Sequence, residues 1–457
     1  MQQEPITQEL DNYIHTLCDE YLKYNQIDPS AFSRYDVKRG LRNADGTGVV
    51  AGVTQICNVH GYVLNEGERF PVEGQLTYRG IDINDLINGC QAEGRYGYEE
   101  TAWLLLFGKL PTAAQLDHFN HLLASYRELP ESFTDDMIIK APSPHIMNKL
   151  ARSVLALYSY DANPDDTSLG NVLRQSIELI ARTPTIITAA YQVRRRAYEH
   201  KSMYFHAPKP EFSTAQNILR TMRSNKTFTE DEAHLLDLCL MLHAEHGGGN
   251  NSTFATRVLT SAGTDTYSAI AAGVGALKGP RHGGANLKVM EMLEFMKADI
   301  ADPENETEVR DYLVKLLNKE AGDRTGLIYG MGHAVYTKSD PRAVILKSNL
   351  MKICAGTPVE ADARLLSTVE RLVPGLMAEF KGLDPNTICA NVDLYSGLVY
   401  RMLRIPPEVY TPLFATARMA GWCAHRLEEL QTGGKIIRPA YKAVASPTQV
   451  YLPLSQR

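Results

Sequence analysis

Apolar positions along this chain recur mainly at helical spacing. Between residues 229 and 243, Ala233, Leu236 and Leu240 follow one another at intervals of three or four, and His243 continues the stripe. Thr229-Glu230-Asp231-Glu232 reads as a capping box, with Thr229 at the cap and Glu232 three residues on. The glycine run 247–249 is expected to end that helix, and Ser252 or Thr253 to cap the next, over 254–259. Asp265 is placed to cap a third helix that runs through Leu277 and stops at Gly279-Pro280. That helix carries Ala269, Ala271, Ala272, Gly273, Gly275 and Ala276. Small side chains let helices approach closely, so it reads as a buried central helix despite the poor propensity of glycine.

Leu287, Met290, Leu293 and Met296 mark another helix after Gly283-Gly284. Pro406-Pro407 separates a helix over 394–404 from one over 408–430, and marks a hinge or domain boundary. Arg194-Arg195-Arg196 reads as a helix end before a Pro-interrupted loop, and its charge as a solvated face. Strand signals are few: residues 48–59 and 75–78 are expected to form a small sheet near the N-terminus. Strands and helices do not alternate as a parallel sheet requires. The fold class is therefore all-α with a minor N-terminal β element.

The 457 residues are enough for a large core and more than one domain. Hydrophobic residues make up 44% and charged residues 22%, the balance of an ordinary globular protein. A net charge of −6 argues against a surface built for nucleic acid or anionic membranes. No apolar run approaches the ~18–20 residues of a membrane span. The start, Met1 to Ile6, lacks the basic and apolar regions of a secretory signal. The seven cysteines (Cys18, Cys57, Cys90, Cys239, Cys354, Cys389, Cys423) are scattered without a Cys-x-x-Cys pair, so reduced thiols and a cytoplasmic location are expected.

Three distant segments place an ionisable residue where packing alone would not choose one: Gly279 to Asn286, Gly330 to Tyr336, and Asn391 to Gly397. His282, at a helix start, would be kept neutral by the helix dipole and could donate to a developing enolate oxygen; a capping loop histidine is the alternative. His333 follows Gly-x-Gly, which lets backbone approach a ligand, or simply makes a turn; no third glycine completes a dinucleotide fingerprint. Asp393 is either an N-cap or a general base whose pKa is raised by the apolar residues upstream. Arg418 lies on a helix face with Phe414, Ala415, Gly421 and Trp422, a costly place for a guanidinium without a carboxylate from protein or ligand. Arg342 and Arg438 are less decisive. His243 and His246, with Glu245 beside them, would make half a metal site, but no third ligand follows at a recognisable spacing, which favours ligand-contacting or core histidines.

At these residues the chain resembles the citrate synthase family. The matching pieces run in family order over roughly 48–440: Leu76 to Gly80, His243 to Ser252, Gly279 to Asn286, Gly330 to Arg342, Asn391 to Gly397, Phe414 to His425, and Arg438-Pro439. The resemblance implies condensation of acetyl-CoA with oxaloacetate, without a metal or tightly bound cofactor. It implies His282, His333 and Asp393 as catalytic residues, and His246, Arg342, Arg418 and Arg438 as the oxaloacetate-binding set. Lys338 is the candidate for the CoA phosphates. It further implies a homodimer in which Arg438 reaches the partner's site. The two domains implied are a large one of 1–283 and 405–457 and a small one of 284–404, with the site between them. Two departures stand near the substrate: Gly247, where many relatives carry Glu, and Met331, where relatives often carry an aromatic residue. The alternatives are a 2-methylcitrate synthase using propionyl-CoA, a metallohydrolase built on His243 and His246, and a helical binding protein that retains the fold.

Overall fold

The computed structural model describes residues 8–445 and 450–456. The chain divides into two units, Met1–Ala51 with Arg438–Arg457, and Gly52–Ile437. The first holds helix α1 (Gln8–Tyr24) and short helical turns. The second holds a three-stranded antiparallel sheet, β1 (Cys57–Asn65), β2 (Glu68–Tyr78) and β3 (Ile81–Asp82), in that order. The rest of the second unit is helical. The helices that position the site are α2 (Leu169–Tyr198), α3 (Glu230–His243), α4 (Asn251–Ser261), α5 (Thr266–Leu277), α6 (Ala285–Asp299), α7 (Pro341–Ile353), α8 (Asp393–Met402) and α9 (Tyr410–Gln431).

The expected sheet exists with different limits. Residues 48–56 lie outside it, β1 runs six residues past Val59, and β2 begins seven residues before Gln75. The hairpin turns through Glu66 and Gly67, both at positive φ (53° and 86°), which is the type I′ pattern with glutamate in a position usually taken by Asn, Asp or Gly.

The capping box of α3 is formed: Thr229 accepts the Glu232 N–H and the Glu232 side chain accepts the Thr229 N–H. Asp265 caps α5 by accepting the Ser268 N–H at 2.8 Å. The cap of α4 is Asn250, not Ser252 or Thr253; its carboxamide oxygen accepts the Thr253 N–H and the helix starts three residues earlier than expected. Helix α5 packs against α4 and α9, and α9 also packs on α2 and α3. A Cβ at Gly273 would meet Thr256 Oγ1 at 2.6 Å and the Trp422 ring at 3.2 Å, so this glycine sets the separation of α5 from its neighbours. Burial of α5 is one-sided, since Gly275 is exposed and a Cβ there would meet nothing.

Candidate active site

Helix α3 ends at His243, four residues before the glycine run expected to stop it. The cause is Tyr78, at the end of β2. Its buried hydroxyl accepts the Glu245 N–H and lies 3.0 Å from the Glu245 carbonyl and 3.1 Å from that of Met241. These bonds satisfy backbone groups that another helical turn would have used. They fix the segment His243-Ala244-Glu245-His246. The His243 ring is buried with its edge toward Phe414, centroids 4.6 Å apart. His246 Nε2 lies 3.3 Å from the Tyr336 hydroxyl. Burial pushes both rings well below the usual histidine range, and Arg342 adds to this in each case, so both are neutral.

The structure revises how His282 is held. Helix α6 begins only at Ala285, and His282 sits before it in a turn closed by its own N–H on the Gly279 carbonyl. The helix terminus acting on it is that of α4. The Ser252 N–H, in the first turn of α4, donates to His282 Nε2 at 3.3 Å, and Ser252 Oγ lies 2.9 Å from the same atom. A backbone N–H can only donate, so Nε2 is the acceptor and the ring proton sits on Nδ1. Burial, followed by the charge of Arg418, lowers this ring to about 4. His282 is thus held neutral, with its ring proton on Nδ1, by a helix that starts some thirty residues upstream.

The loops that lead into His333 and Asp393 pair with each other. Met331 and Ala390 form a β-bridge, the Gly332 N–H donates to the Cys389 carbonyl at 2.7 Å, and the Asn391 N–H to that of Gly330 at 2.9 Å. Asn391 Nδ2 adds a bond to the Gly332 carbonyl. Gly330, at φ 81°, has no room for a side chain, since a Cβ would lie 2.8 Å from Leu394. His333 Nδ1 accepts the N–H groups of Val335 and Tyr336, both at 3.0 Å, which leaves the ring proton on Nε2. Its ring stands perpendicular to that of His246, with centroids 5.2 Å apart.

Asp393 is the first residue of α8, but it does not cap the helix. Asn391 takes the local hydrogen-bonding role by accepting the Asp393 N–H at 3.0 Å. The carboxyl is thereby left for other work. Burial raises its pKa to about 6 against the opposing pull of Arg342.

Arg342 is buried and held by its own chain: its Nε and Nη2 meet the two oxygens of Asp340 at 3.0 and 2.7 Å. Asp340 also caps α7, with Pro341 as the first helical residue. Arg418 is only 1% exposed. Its Nε donates to the His243 carbonyl at 2.8 Å, and the guanidinium lies 4.8 Å over the Phe414 ring. Its Nη2 is buried with no hydrogen-bond partner among the described residues. An orphaned guanidinium donor beside three neutral histidines fits an anionic ligand.

Lys338 is exposed. Its neighbours are anchored to the hairpin, Thr337 through the Gly61 carbonyl and Ser339 through Glu73. The approach is close: a Cβ at Gly61 would lie 2.6 Å from the Tyr336 Cα, and one at Gly74 2.1 Å from the Ser339 carbonyl oxygen. Arg438 belongs to the first unit. Among the described residues no third His, Cys, Asp or Glu completes a metal-holding group with His243 and His246. Sequence reasoning did not assign Tyr78, Ser252, Tyr336 or Phe414 to the site. All four fall inside the family-like segments, and that is the available signal.

A family model for the citrate synthase C-terminal domain matches residues 43–440. The citrate synthase of Synechocystis sp. is 34% identical over 411 residues, covering 90% of this chain and 92% of its own. That of Acidithiobacillus ferridurans is also 34% identical, covering 90% and 97%. The 2-methylcitrate synthase 1 of Corynebacterium glutamicum is 32% identical, covering 92% and 98%. Among solved structures, citrate synthase from Thermotoga maritima superposes with a TM-score of 0.73 at 30% identity, over 92% of this chain and 99% of that one. Citrate synthase from Thermoplasma acidophilum, in ternary complex with carboxymethyl coenzyme A and oxaloacetate, gives 0.75 at 26% identity over the same shares. The chain belongs to the citrate synthase family.

Proposed function

We propose that His282, His333 and Asp393 carry out the family reaction at the reacting atoms, and that His246, Arg342, Arg418 and Arg438 hold oxaloacetate. The enzyme condenses acetyl-CoA with oxaloacetate and hydrolyses the thioester to citrate and free CoA. The observation that carries the assignment is the proton placement: Asp393 is tuned to about 6, and two histidines have their tautomers set by backbone N–H groups. A carboxylate near 6 is ionised at neutral pH yet basic enough to accept a methyl proton. As Asp393 removes that proton, the Nδ1–H of His282 donates to the thioester oxygen, where negative charge grows. The enolate carbon attacks the ketone of oxaloacetate. His333 polarises that ketone through Nε2–H and gives its proton to the new alkoxide. Water then hydrolyses citryl-CoA.

Condensation requires that water be kept out, which supports closure of 284–404 over a site it shares with the remaining residues. Lys338, exposed on the segment after His333, is the residue we assign to the CoA phosphates. We place the reaction in the tricarboxylic acid cycle and the enzyme in the cytoplasm, for which scattered, unpaired thiols are suited.

The test is thiol release with oxaloacetate and either acetyl-CoA or propionyl-CoA. The expected result is oxaloacetate-dependent release, faster with acetyl-CoA. One methylene supplies only about 1–3 kcal/mol of discrimination, and 2-methylcitrate synthases stand among the relatives, so both substrates are to be measured. Faster turnover of propionyl-CoA would make the chain a 2-methylcitrate synthase, and no release with either would overturn the reading.

The working unit is proposed to be a homodimer with Arg438 serving the neighbour's site. Its support is the family resemblance and the exposed small-residue side of α5, which suits a symmetric helix contact. Mixing inactive His333→Ala subunits with inactive Arg438→Ala subunits is expected to restore a fraction of wild-type activity. Hybrids confirmed by mass and devoid of activity would rule out shared sites.

A further inference from the structure

Behind Arg418 lies a buried polar chain that the reaction scheme does not use. Glu245 and His425 are fully buried, and His425 Nε2 lies 3.0 Å from Glu245 Oε1. On the other side of the ring, the Nε and Nη2 of Arg257 point at His425 Nδ1, at 3.0 and 2.6 Å. Arg257 is in turn held by Glu428 and Glu429. A guanidinium can only donate, so Nδ1 accepts, and the imidazole proton is on Nε2, donated to Glu245.

Two buried groups are left over. Glu245 Oε2 and Arg418 Nη2 each lack a partner among the described residues, although they carry opposite charges. The two side chains are neighbours. The point a Gly421 Cβ would occupy lies 2.2 Å from Glu245 Oε2 and 3.3 Å from Arg418 Cδ. Against burial, which raises it, His425 and then Arg418 hold the Glu245 carboxyl below the usual range, so it is ionised. An ionised carboxylate this close to an arginine with an open donor would ordinarily close an ion pair. The hydrogen bond from His425 holds it back by its other oxygen.

We propose that His425 is a positioning residue for oxaloacetate binding: held by Arg257, it restrains Glu245 from pairing with Arg418 and so keeps the Arg418 fork open for a substrate carboxylate. The inference rests on the reading of Arg418 as an oxaloacetate ligand. Glu245 then supplies the long-range charge that keeps Arg418 tolerable in the empty site, without competing at contact distance.

Two amide substitutions separate the parts. His425→Asn keeps an acceptor for Arg257 but is too short to reach Glu245. His425→Gln is long enough to donate to Glu245. The expected result for His425→Asn is a KM for oxaloacetate raised by at least about tenfold, with kcat and the KM for acetyl-CoA changed by less than about threefold. His425→Gln is expected to stay within about threefold of wild type for oxaloacetate. Adding Glu245→Gln to His425→Asn removes the competing charge and should bring the oxaloacetate KM back toward wild type. A purely architectural role predicts instead a parallel loss of kcat and thermal stability in His425→Asn, with no rescue by Glu245→Gln, and that result would overturn the proposal. Should His425→Asn not fold, Arg257→Gln, which loosens the same imidazole from the other side, must give the same selective rise in oxaloacetate KM. Arg418→Lys is the control. If it leaves the oxaloacetate KM unchanged, the reading of Arg418 fails; if it raises KM while His425→Asn does not, only the restraint fails.

Discussion

Asp393→Asn is expected to lower kcat by at least ~10²-fold, the usual worth of a general base, while oxaloacetate still binds. The amide keeps the shape of the carboxyl and cannot take a methyl proton at neutral pH. In the wild-type enzyme, kcat/KM for acetyl-CoA should fall as pH drops through about 6, where Asp393 takes up its proton. His282, at about 4, contributes no limb above pH 5. The same shift makes a stability prediction of definite sign. Asp393 has a folded-state pKa above its unfolded value of 3.8, so the folded protein is favoured when the group is protonated. That advantage is complete at low pH and is lost as pH rises through about 6. At pH 8 the ionised carboxyl costs the fold about 3 kcal/mol, which the amide does not. The inactive variant should therefore melt at a higher temperature than wild type at pH 8, with the gap narrowing by pH 4. Near-wild-type kcat in Asp393→Asn would end its assignment as base.

Local chemistry explains which elements were legible. The caps of α3 and α5 were read correctly because Thr229, Glu232 and Asp265 act on backbone within three residues of themselves. The end of α3 was misread because Tyr78, some 160 residues away, takes over its last backbone groups. The first strand differs for the opposite reason: an apolar β-branched stretch at 48–56 satisfies the local pattern but, among the described residues, pairs only through an isolated bridge of Gly48 to Arg42.

The site shows the same division. The grouping of His282, His333 and Asp393 that we propose rests on three glycine-rich or helix-starting segments in family order. How each is tuned was not, because every decisive bond is non-local or made by the backbone. Ser252 holds His282 from another helix. The loop pairing of Gly330 and Gly332 with Cys389 and Asn391 joins the segments that carry His333 and Asp393. Asp340, only two residues from Arg342, occupies that guanidinium on two atoms, so the two arginines we propose as oxaloacetate ligands differ in kind. Arg342 is already paired with a protein carboxylate, and Arg418 Nη2 has no partner among the described residues.

That difference sets the expectation for Arg418→Leu. Its KM for oxaloacetate should rise far more than that for acetyl-CoA, because a desolvated charged contact is worth about 2–5 kcal/mol when one partner is removed. The sequence left open whether Arg418 pairs with a protein carboxylate or a ligand. Among the described residues none forms an ion pair with it, its Nη2 is unpartnered, and burial lowers its pKa, so the empty site carries a strained cation. Leucine relieves that strain but forfeits the Nε bond to His243. The ligand-free variant should therefore unfold close to the wild-type temperature instead of losing the several kcal/mol that a broken buried ion pair costs. Ligand linkage gives the sharper readout. Oxaloacetate at one hundred times its Kd stabilises the wild type by about 2.7 kcal/mol, and a weakened site loses most of that protection at the same concentration. Scanning both proteins with and without oxaloacetate separates the two readings. A variant that melts far below wild type without ligand, yet is still protected by oxaloacetate to the same degree, would show that Arg418 serves the fold and leaves the substrate carboxylate to other residues.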